Sequence, residues 1–187
     1  MVSENFAEYP QTVMPIAGVN STGYSAYDKN LMEEQIHDAR VNGSDFVLVY
    51  FHYGNEYKTS PNANQKEFSH AAIDAGADAV VGSHPHVPQG IEVYKGKTIF
   101  YSLGDTVFYL ERPGTLTTYF VVFNLTGGQC VATIYPIKLS GYLPYFMNAA
   151  SGKSLLSSLS PSCDEMVIND KGIGTIVFKL TDPRSFN

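Results

Sequence analysis

Helix-like and strand-like stretches alternate in the first half of the chain. After Asp28, apolar residues recur with the 3.6-residue period of an amphipathic helix, which is predicted to run to about Asn42 and to stop at Gly43. Residues 45–51 then form a nearly continuous apolar run, typical of a central parallel strand that is covered on both faces. The apolar face of the helix consists of Met32, Ile36 and Ala39.

A second unit of the same kind follows. Ser60 is predicted to cap a helix that has Pro61 at its first position and ends at Gly76, and residues 78–82 form the next buried strand. Because a helical crossover joins the two strands, we expect them to lie parallel, with their carboxyl ends at one edge of the sheet. Ligand sites in such sheets favour that edge.

The remaining pattern is mostly that of β-structure. Residues 90–94 and 98–102 predict a hairpin around the Lys-Gly-Lys turn at 95–97, which returns the chain to its starting edge. Longer β-rich segments follow, and this half is expected to be antiparallel. The segments are strands at 116–125, 129–139 and 174–180, and a helix near 151–159.

Composition narrows the class of protein. The 187 residues fit one domain or a large part of one, and 44% are hydrophobic against 16% charged, which indicates a folded chain. A formal net charge of -6, with no Lys or Arg cluster, disfavours binding to nucleic acid. The longest apolar runs, at 46–51 and 119–123, are much shorter than the ~18 residues of a membrane span. The first residues include Glu4 and Glu8 and no Lys or Arg, so no secretory leader is predicted within this chain.

The two cysteines, Cys130 and Cys163, leave two interpretations open. In an oxidising compartment they could form one disulfide, and otherwise they remain ordinary buried thiols. Their spacing does not decide between the two.

Three histidines follow strands of the predicted parallel sheet. His52 comes after the first strand, His84 and His86 come after the second, and Asp105 follows the returning hairpin strand. We expect all of them to meet at one edge, with Glu56 nearby. Imidazole and carboxylate groups are suitable ligands for Zn, Mn or Fe, so the sequence predicts a divalent metal site there.

The His-Pro-His segment has two interpretations. Pro85 and Pro88 are expected to hold the residues before them in extended conformations, so that His84 and His86 could face two ions about 3.5–4 Å apart. The simpler interpretation is that both are loop histidines bonded to the backbone, and that His52 merely ends a strand.

Three motifs in the middle third of the chain carry a family resemblance. They are FHYGNEY at 51–57, GSHPH at 82–86 and YSLGD at 101–105, with Pro61 and Gln65 between the first two. In this order and spacing they resemble the CapA family of bacterial capsule or poly-γ-glutamate synthesis proteins. The resemblance implies an α/β class, the α/β/β/α sandwich of calcineurin-like metallophosphoesterases.

The resemblance also implies a set of ligands. His52 and His84 would bind one ion of a dinuclear pair, and His86 would bind the other. Asp105 stands where the family usually has Asn, and Ser83 replaces a frequent His, but neither residue is a presumed ligand.

Members of this family also draw ligands from an amino-terminal half, through an early Gly-Asp, an Asn-Glu and an Asn-Asn-His segment. None of these segments occurs here apart from the Gly-Asp of the last motif. The chain is therefore expected to be a carboxyl-terminal portion, one domain part over 1–187 with its motifs at 45–108 and a β-rich part at 116–187. An amino-terminal half or a second chain would complete the site.

Several other polar residues have weaker assignments. Glu56 is either a partner that orients a ligating histidine or a plain loop carboxylate. Asp105 either orients His86 or accepts backbone hydrogen bonds in its turn, and turn chemistry is slightly favoured. Tyr53 and Tyr101 flank the predicted site and are candidate substrate contacts. The helical histidines, His37 and His70, are expected to be surface or packing residues.

By resemblance, the function is capsule or poly-γ-glutamate biosynthesis with metal-dependent hydrolysis of a phosphoester or related bond. The alternative is a non-catalytic factor that binds the polymer or assists its assembly. Expected cofactors are Mn, Zn or Fe, and expected partners are an anionic polymer or a phosphorylated small molecule. A location at the cell envelope is implied only by the family.

Overall fold

A computed structural model describes residues 2–3, 25–108, 110–160, 163–182 and 185 of the chain. Eleven strands and three helices lie in these ranges, and none of these helices is long and apolar enough to cross a bilayer. The helices are α1 (Lys29–Val41), α2 (Ala63–Asp74) and α3 (Ala149–Leu159). The strands are β1 (Val2–Ser3), β2 (Ser25–Ala26), β3 (Leu48–His52), β4 (Ala79–Ser83), β5 (Ile91–Tyr94), β6 (Lys97–Phe100), β7 (Thr117–Thr126), β8 (Gln129–Ser140), β9 (Leu143–Phe146), β10 (Val167–Ile168) and β11 (Gly174–Lys179).

The first sheet has the strand order β2-β1-β3-β4-β6-β5. Strands β3, β4 and β6 are parallel, as the helical crossover and the returning hairpin predict. The β5–β6 hairpin closes through Lys95 and Gly96, both with positive φ, which is the conformation of a type I′ turn. The predicted parallel arrangement is confirmed.

The second sheet is antiparallel, with the order β10-β11-β8-β7 and β9 also paired to β8. Both ends of each of its three long strands match the predicted segments to within one residue, and β7 turns into β8 through Gly127 and Gly128. The short strands β9 and β10 were not predicted, because two to four residues carry too little periodicity to be recognised.

Two apolar cores hold the layers together. One lies between the first sheet and helices α1 and α2, around Phe51 and Ile99. The other joins the two sheets and α3, and it contains Phe100 of β6, Ile134 of β8 and Leu156 of α3. The α/β class is therefore confirmed, with a sheet-on-sheet core and helices on the parallel sheet.

Both cysteines belong to the core between the sheets. Cys130 and Cys163 are buried and are free thiols in this structure, which is the second of the two interpretations left open by their spacing. Burial raises the pKa of Cys130 to about 11. The thiol is therefore protonated and unreactive near neutral pH.

The helix boundaries confirm one predicted cap and correct another. Asp28 caps α1 by accepting a hydrogen bond from the Leu31 amide, as predicted. Ser60 does not cap α2, because Asn62 does so in a reciprocal capping box with Gln65. Asn is at least as good a cap as Ser, and the Gln three residues later decides the position.

The prediction that the first buried strand is covered on both faces is wrong. Strand β3 begins at Leu48, and Leu48 and Tyr50 are about two-fifths exposed, while Phe51 is fully buried. A continuous apolar run does not reveal that one face is only partly covered. The next strand, β4, is buried over its first four residues, as predicted.

A buried ion network fastens the amino-terminal ends of these strands. Asp78 has no solvent exposure and accepts hydrogen bonds from the guanidinium of Arg40, from Lys97 Nζ at 2.8 Å and from two backbone amides. These amides belong to Val47, next to β3, and Thr181, after β11, at 3.1 and 2.7 Å. One carboxylate therefore connects α1, the parallel sheet and the antiparallel sheet.

We predict that Asp78→Asn lowers the free energy of unfolding by about 3–5 kcal/mol, because it leaves the buried Arg40 and the partly buried Lys97 without their counter-charge. Burial raises the pKa of Asp78, but hydrogen bonds from Lys97 and Arg40 outweigh it, so its pKa is lowered. The stabilisation is then complete above the ordinary carboxyl pKa of about 3.9 and is lost as the pH falls below it. Urea unfolding of the wild type and of Asp78→Asn at pH 7 measures the loss of stability, and the same comparison at pH 3 measures how much of the difference disappears.

The matched control is Asp74→Asn, which breaks the exposed ion pair between Asp74 and Lys95. Exposed pairs contribute little, so this variant should unfold almost like the wild type. Equal unfolding curves for Asp78→Asn and Asp74→Asn would contradict the role given to the buried network.

Candidate metal site

The carboxyl ends of β3 and β4 bring the histidines together. In the parallel register, His52 lies opposite Ser83, and His84 follows directly. The His52 Nε2 and His84 Nδ1 atoms are 3.1 Å apart, and the ring centroids of His84 and His86 are 6.1 Å apart. The structure therefore places all three histidines at one edge, where the sequence predicted them.

The backbone of the His-Pro-His segment differs from the prediction. His84, which precedes Pro85, has φ +101° rather than the extended conformation expected before proline, and His86 has φ +61°. Non-glycine residues in this region are strained by about 1–3 kcal/mol each, and such strain concentrates at functional sites. The tertiary contacts of the loop therefore override the local preference and turn both imidazoles to the same side.

Glu56 completes a cluster with two of the histidines. A carboxylate oxygen of Glu56 and one ring nitrogen each of His84 and His86 lie within 4.8 Å of one another. The Glu56 loop is attached to the histidine segment by a hydrogen bond from the Tyr57 amide to the Pro85 carbonyl at 2.8 Å. Glu56 is thus close enough to both histidines to share an ion with them. The sequence had suggested only an orienting partner or a plain loop carboxylate.

Hydrogen bonds fix the orientation of two imidazoles. His86 Nδ1 lies 3.0 Å from a carboxylate oxygen of Asp105, so Nε2 is the ring nitrogen that this bond does not engage. The contact fits the interpretation in which Asp105 orients His86. His52 Nδ1 lies 3.1 Å from the Ser83 hydroxyl, which in turn accepts a hydrogen bond from Tyr50 at 2.7 Å.

The surroundings of His52 and His84 favour the neutral form of both imidazoles. Burial, together with the neighbouring His84 and His86, lowers the pKa of His52 to about 4. Burial also lowers the pKa of His84, although the Glu56 carboxylate offsets part of this effect. Burial raises the pKa of Asp105, against the opposing hydrogen bond from His86. Neutral imidazole is the form that binds a metal.

The donor set fits a divalent ion. Nitrogens bound to one ion at about 2.0–2.1 Å lie roughly 3.0–3.4 Å apart, and the separation between His52 and His84 is in that range. The cluster of Glu56, His84 and His86 is wider, with donor atoms within 4.8 Å of one another. Imidazoles with one carboxylate suit Zn, Mn or Fe.

Tyr53 and Tyr101, the candidate substrate contacts, lie in the apolar core and not on the surface of the site. Both side chains are buried beneath the sheet edge, where Tyr53 bonds to Ser69 at 2.8 Å and Tyr101 donates to Glu92 at 2.6 Å. Side chains alternate between the faces of an extended chain, so a residue next to a site residue points away from it. Neighbourhood in sequence misled the interpretation here.

The rim of the site is aromatic and carries a cation. The Tyr57 and Phe108 rings lie 5.8 and 5.5 Å from that of His86, and Phe108 is 58% exposed. The guanidinium of Arg112 lies 4.5 Å from the centroid of the Tyr57 ring. Arg112 was not predicted, because it lies outside the motifs and only the folded loop brings it to Tyr57.

The other histidines lie away from this edge. His70 on α2 bonds to Glu92 at 2.9 Å and stacks on Tyr94, and His37 is an exposed residue of α1. Both have the surface or packing role that the sequence predicted.

Comparison with known proteins gives the same result as the motifs. The family model described as bacterial capsule synthesis protein PGA_cap matches residues 4–110, more than half of the chain. The PGA biosynthesis protein CapA of Bacillus subtilis is 41% identical over 112 residues, which cover 58% of this chain and 29% of that protein. The capsule biosynthesis protein CapA of Bacillus anthracis is 36% identical over 118 residues, which cover 63% of this chain and 29% of that protein.

A more distant match points in the same direction. A probable polyglutamine synthesis accessory protein of Mycobacterium tuberculosis is 40% identical over 70 residues, which cover 37% of this chain and 18% of that protein. The alignments cover less than a third of the length of these curated relatives. Most of each relative therefore has no counterpart in the aligned part of this chain.

We predict that Gly82→Ala lowers the free energy of unfolding by about 1–3 kcal/mol or more, since it overpacks the core beneath the site. A Cβ at this position would lie 2.1 Å from the Tyr101 carbonyl oxygen and 2.5 Å from the Tyr53 ring. The control is Gly90→Ala, whose Cβ would meet nothing closer than 3.6 Å. Chemical denaturation of both variants tests the prediction, and equal stability of the two would contradict the packing described for the tyrosines.

Proposed function

This chain belongs to the bacterial capsule synthesis protein family PGA_cap, and from that membership we propose that its histidine edge forms part of a metal-dependent hydrolase site. The bond cleaved is a phosphoester or a related bond, and the process served is the synthesis of capsule or poly-γ-glutamate. The observation that carries the proposal is the convergence of Glu56, His84 and His86 at the carboxyl edge of the sheet, with His52 beside them.

The residues of this chain would hold the ion in a defined way. His84, His86 and Glu56 offer three donor atoms, and His52 adds a fourth next to His84. Asp105 and Ser83 hold the rings of His86 and His52. A bound divalent ion supplies Lewis-acid chemistry and lowers the pKa of a coordinated water. A dinuclear pair, with His52 and His84 on one ion and His86 on the other, would need further ligands from outside this cluster.

The rim favours an anionic substrate. The Arg112 guanidinium lies over the Tyr57 ring, and this ring is stacked near His86, so a positive charge lies next to the His86 side of the site. Guanidinium groups bind phosphate and carboxylate oxygens in a bidentate manner. The substrate class that fits is a phosphorylated small molecule or an anionic polymer. The relatives are described as a PGA biosynthesis protein and a polyglutamine synthesis accessory protein, which agrees with a role in making a polymer.

The second candidate function is binding of the polymer without turnover. In the described cluster, Glu56 is the one carboxylate that is not already bonded to a histidine, because Asp105 is held by His86. A dinuclear hydrolase needs a carboxylate that bridges its ions and a group that stabilises charge on the phosphoryl oxygens. A chain that lacks these groups would retain the histidine edge and bind its ligand without cleaving it.

We predict that the wild-type chain binds Mn²⁺ or Zn²⁺, and that His84→Ala and Glu56→Gln each lower the affinity by at least about tenfold, because each removes one donor atom. His70→Ala is the matched control, since it removes an imidazole outside the cluster. Isothermal titration and elemental analysis after gel filtration are the measurements. Equal metal content in wild type and in the His84→Ala, His86→Ala double variant would refute the site.

We predict that the chain alone hydrolyses a generic phosphodiester at least about a hundredfold more slowly than a fusion in which the preceding half is supplied from the Bacillus subtilis relative. The bridging carboxylate and the substrate-contacting His, which the family resemblance assigns to the amino-terminal half, account for the difference. Initial rates with Mn²⁺ or Zn²⁺ are measured for both proteins. Rapid turnover by the isolated chain that is abolished by His86→Ala would show that its own carboxylates suffice, whereas an inactive fusion that binds metal would favour the binding function.

A further inference from the structure

Two glutamines lie buried behind the metal cluster. The side chains of Gln65 on α2 and Gln89 after the His-Pro-His segment have no solvent exposure, and they bond to each other, Gln65 Nε2 to Gln89 Oε1, at 2.7 Å. Burying an amide without partners is costly, so a buried pair is stable only when its donors and acceptors are satisfied. The partners of this pair show what it does.

The free donor group of the pair points at the loop that carries Glu56. Gln89 Nε2 donates to the carbonyl oxygens of Lys58 at 2.8 Å and Ser60 at 3.2 Å. Gln65 Oε1 accepts from the Asn62 amide at 3.0 Å, where the same loop enters α2. Three backbone groups between residues 58 and 62 are therefore held by these two side chains.

The other end of the pair is anchored to the sheet. The backbone amide of Gln89 donates to the Ser102 carbonyl at 3.0 Å, just beyond β6. This bond attaches Gln89 to the same edge of the sheet at which the histidines lie. The Tyr57 amide bonds to the Pro85 carbonyl on the amino-terminal side of the same loop. Glu56 thus lies in a loop that is attached to the histidine segment near Tyr57 and, through Gln89, at residues 58–60.

The loop also packs directly on this pair. Gly54 has φ +90°, and a Cβ there would lie 2.5 Å from the side-chain carboxamide of Gln65. Glycine is therefore required here for two reasons: the backbone is left-handed, and the Gln65 carboxamide occupies the space that a Cβ would fill. Loop residues 54–60 have little freedom as long as the amide pair is in place.

We propose that the Gln65–Gln89 pair is a positioning device that holds the 54–60 loop so that the Glu56 carboxylate stays at ligand distance from His84 and His86. Apart from the bond between them, the described hydrogen bonds of both glutamine side chains run to backbone groups of the loop and the sheet, so both act through the loop. This inference rests on the proposed metal site and adds that its affinity depends on neutral amides buried behind it.

A double-mutant cycle on metal affinity separates positioning from general stability. Gln89→Met keeps the approximate side-chain volume and removes the bonds to Lys58 and Ser60. Titration with Mn²⁺ or Zn²⁺ is expected to show about tenfold weaker binding for Gln89→Met than for wild type, the usual size of effects from groups behind a ligand. In a Glu56→Gln background, the same change should have almost no further effect. An equal loss in both backgrounds would overturn the proposal, because a purely structural role does not depend on Glu56.

Hydrogen exchange of the metal-free protein provides a second readout. In Gln89→Met and Gln65→Met, amides at 55–60 should exchange faster, while those of α1 and β8 should not change. The control is Gln35→Met, because Gln35 is an exposed residue of α1. This variant should alter neither the hydrogen exchange at 55–60 nor the metal affinity. Unchanged exchange at 55–60 in both variants would overturn the proposal. If wild type binds no ion, the proposed function fails together with the ligand role of Glu56, and the exchange data alone decide whether the pair holds the loop.

Discussion

The carboxylate of Asp78 sets the alignment on which the rest of the molecule depends. It is fully buried, and its bonds to Arg40 and Lys97 tie α1 to β6. Its side chain accepts from the Val47 amide, and its own amide donates to the Val47 carbonyl, so residue 78 is held next to residue 47. From there the parallel register runs to the opposite edge, where His52 lies opposite Ser83. A slip of one residue would turn every side chain of β3 to the other face and would separate the histidines.

At that opposite edge, the structure contains features that local energetics alone would not favour. His84, His86 and Tyr57 all have positive φ, and His52 is half-buried next to two other imidazoles, so its pKa falls to about 4. Strain and perturbed protonation that occur together at a sheet edge are typical of a functional site. Hydrogen bonds from the surrounding loops offset this cost, among them that from the Tyr57 amide to the Pro85 carbonyl.

The sequence predicted those parts that follow from periodicity and topology. The α1 cap at Asp28, the hairpin at Lys95 and the meeting of His52 with His84 follow from patterns that are local or from the rule for parallel crossovers. The sequence could not show that Asn62 would cap α2 instead of Ser60, because both are good caps and the Gln65 side chain decides. It also could not show which way Tyr53 points, because one residue of offset decides between the site and the core.

The features of the site that sequence analysis did not specify, among them the ligand-like position of Glu56, depend on contacts between distant residues. Glu56 reaches its position only because its loop is held by groups near Pro85 and by Gln89, which lie about thirty residues further along the chain. The positive φ of His84 is set by the same packing and contradicts the local effect of the following proline. Arg112 reaches Tyr57 through a separate loop. None of these arrangements leaves a periodic signal.

The most direct test of the account is a crystal structure of the chain grown with Mn²⁺ or Zn²⁺ and measured at wavelengths on either side of the metal absorption edge. The account predicts an anomalous peak about 2.0–2.2 Å from a Glu56 oxygen and from one ring nitrogen each of His84 and His86. An ion bound elsewhere with none at this edge, or histidine rings turned away from one another in the presence of saturating metal, would contradict it.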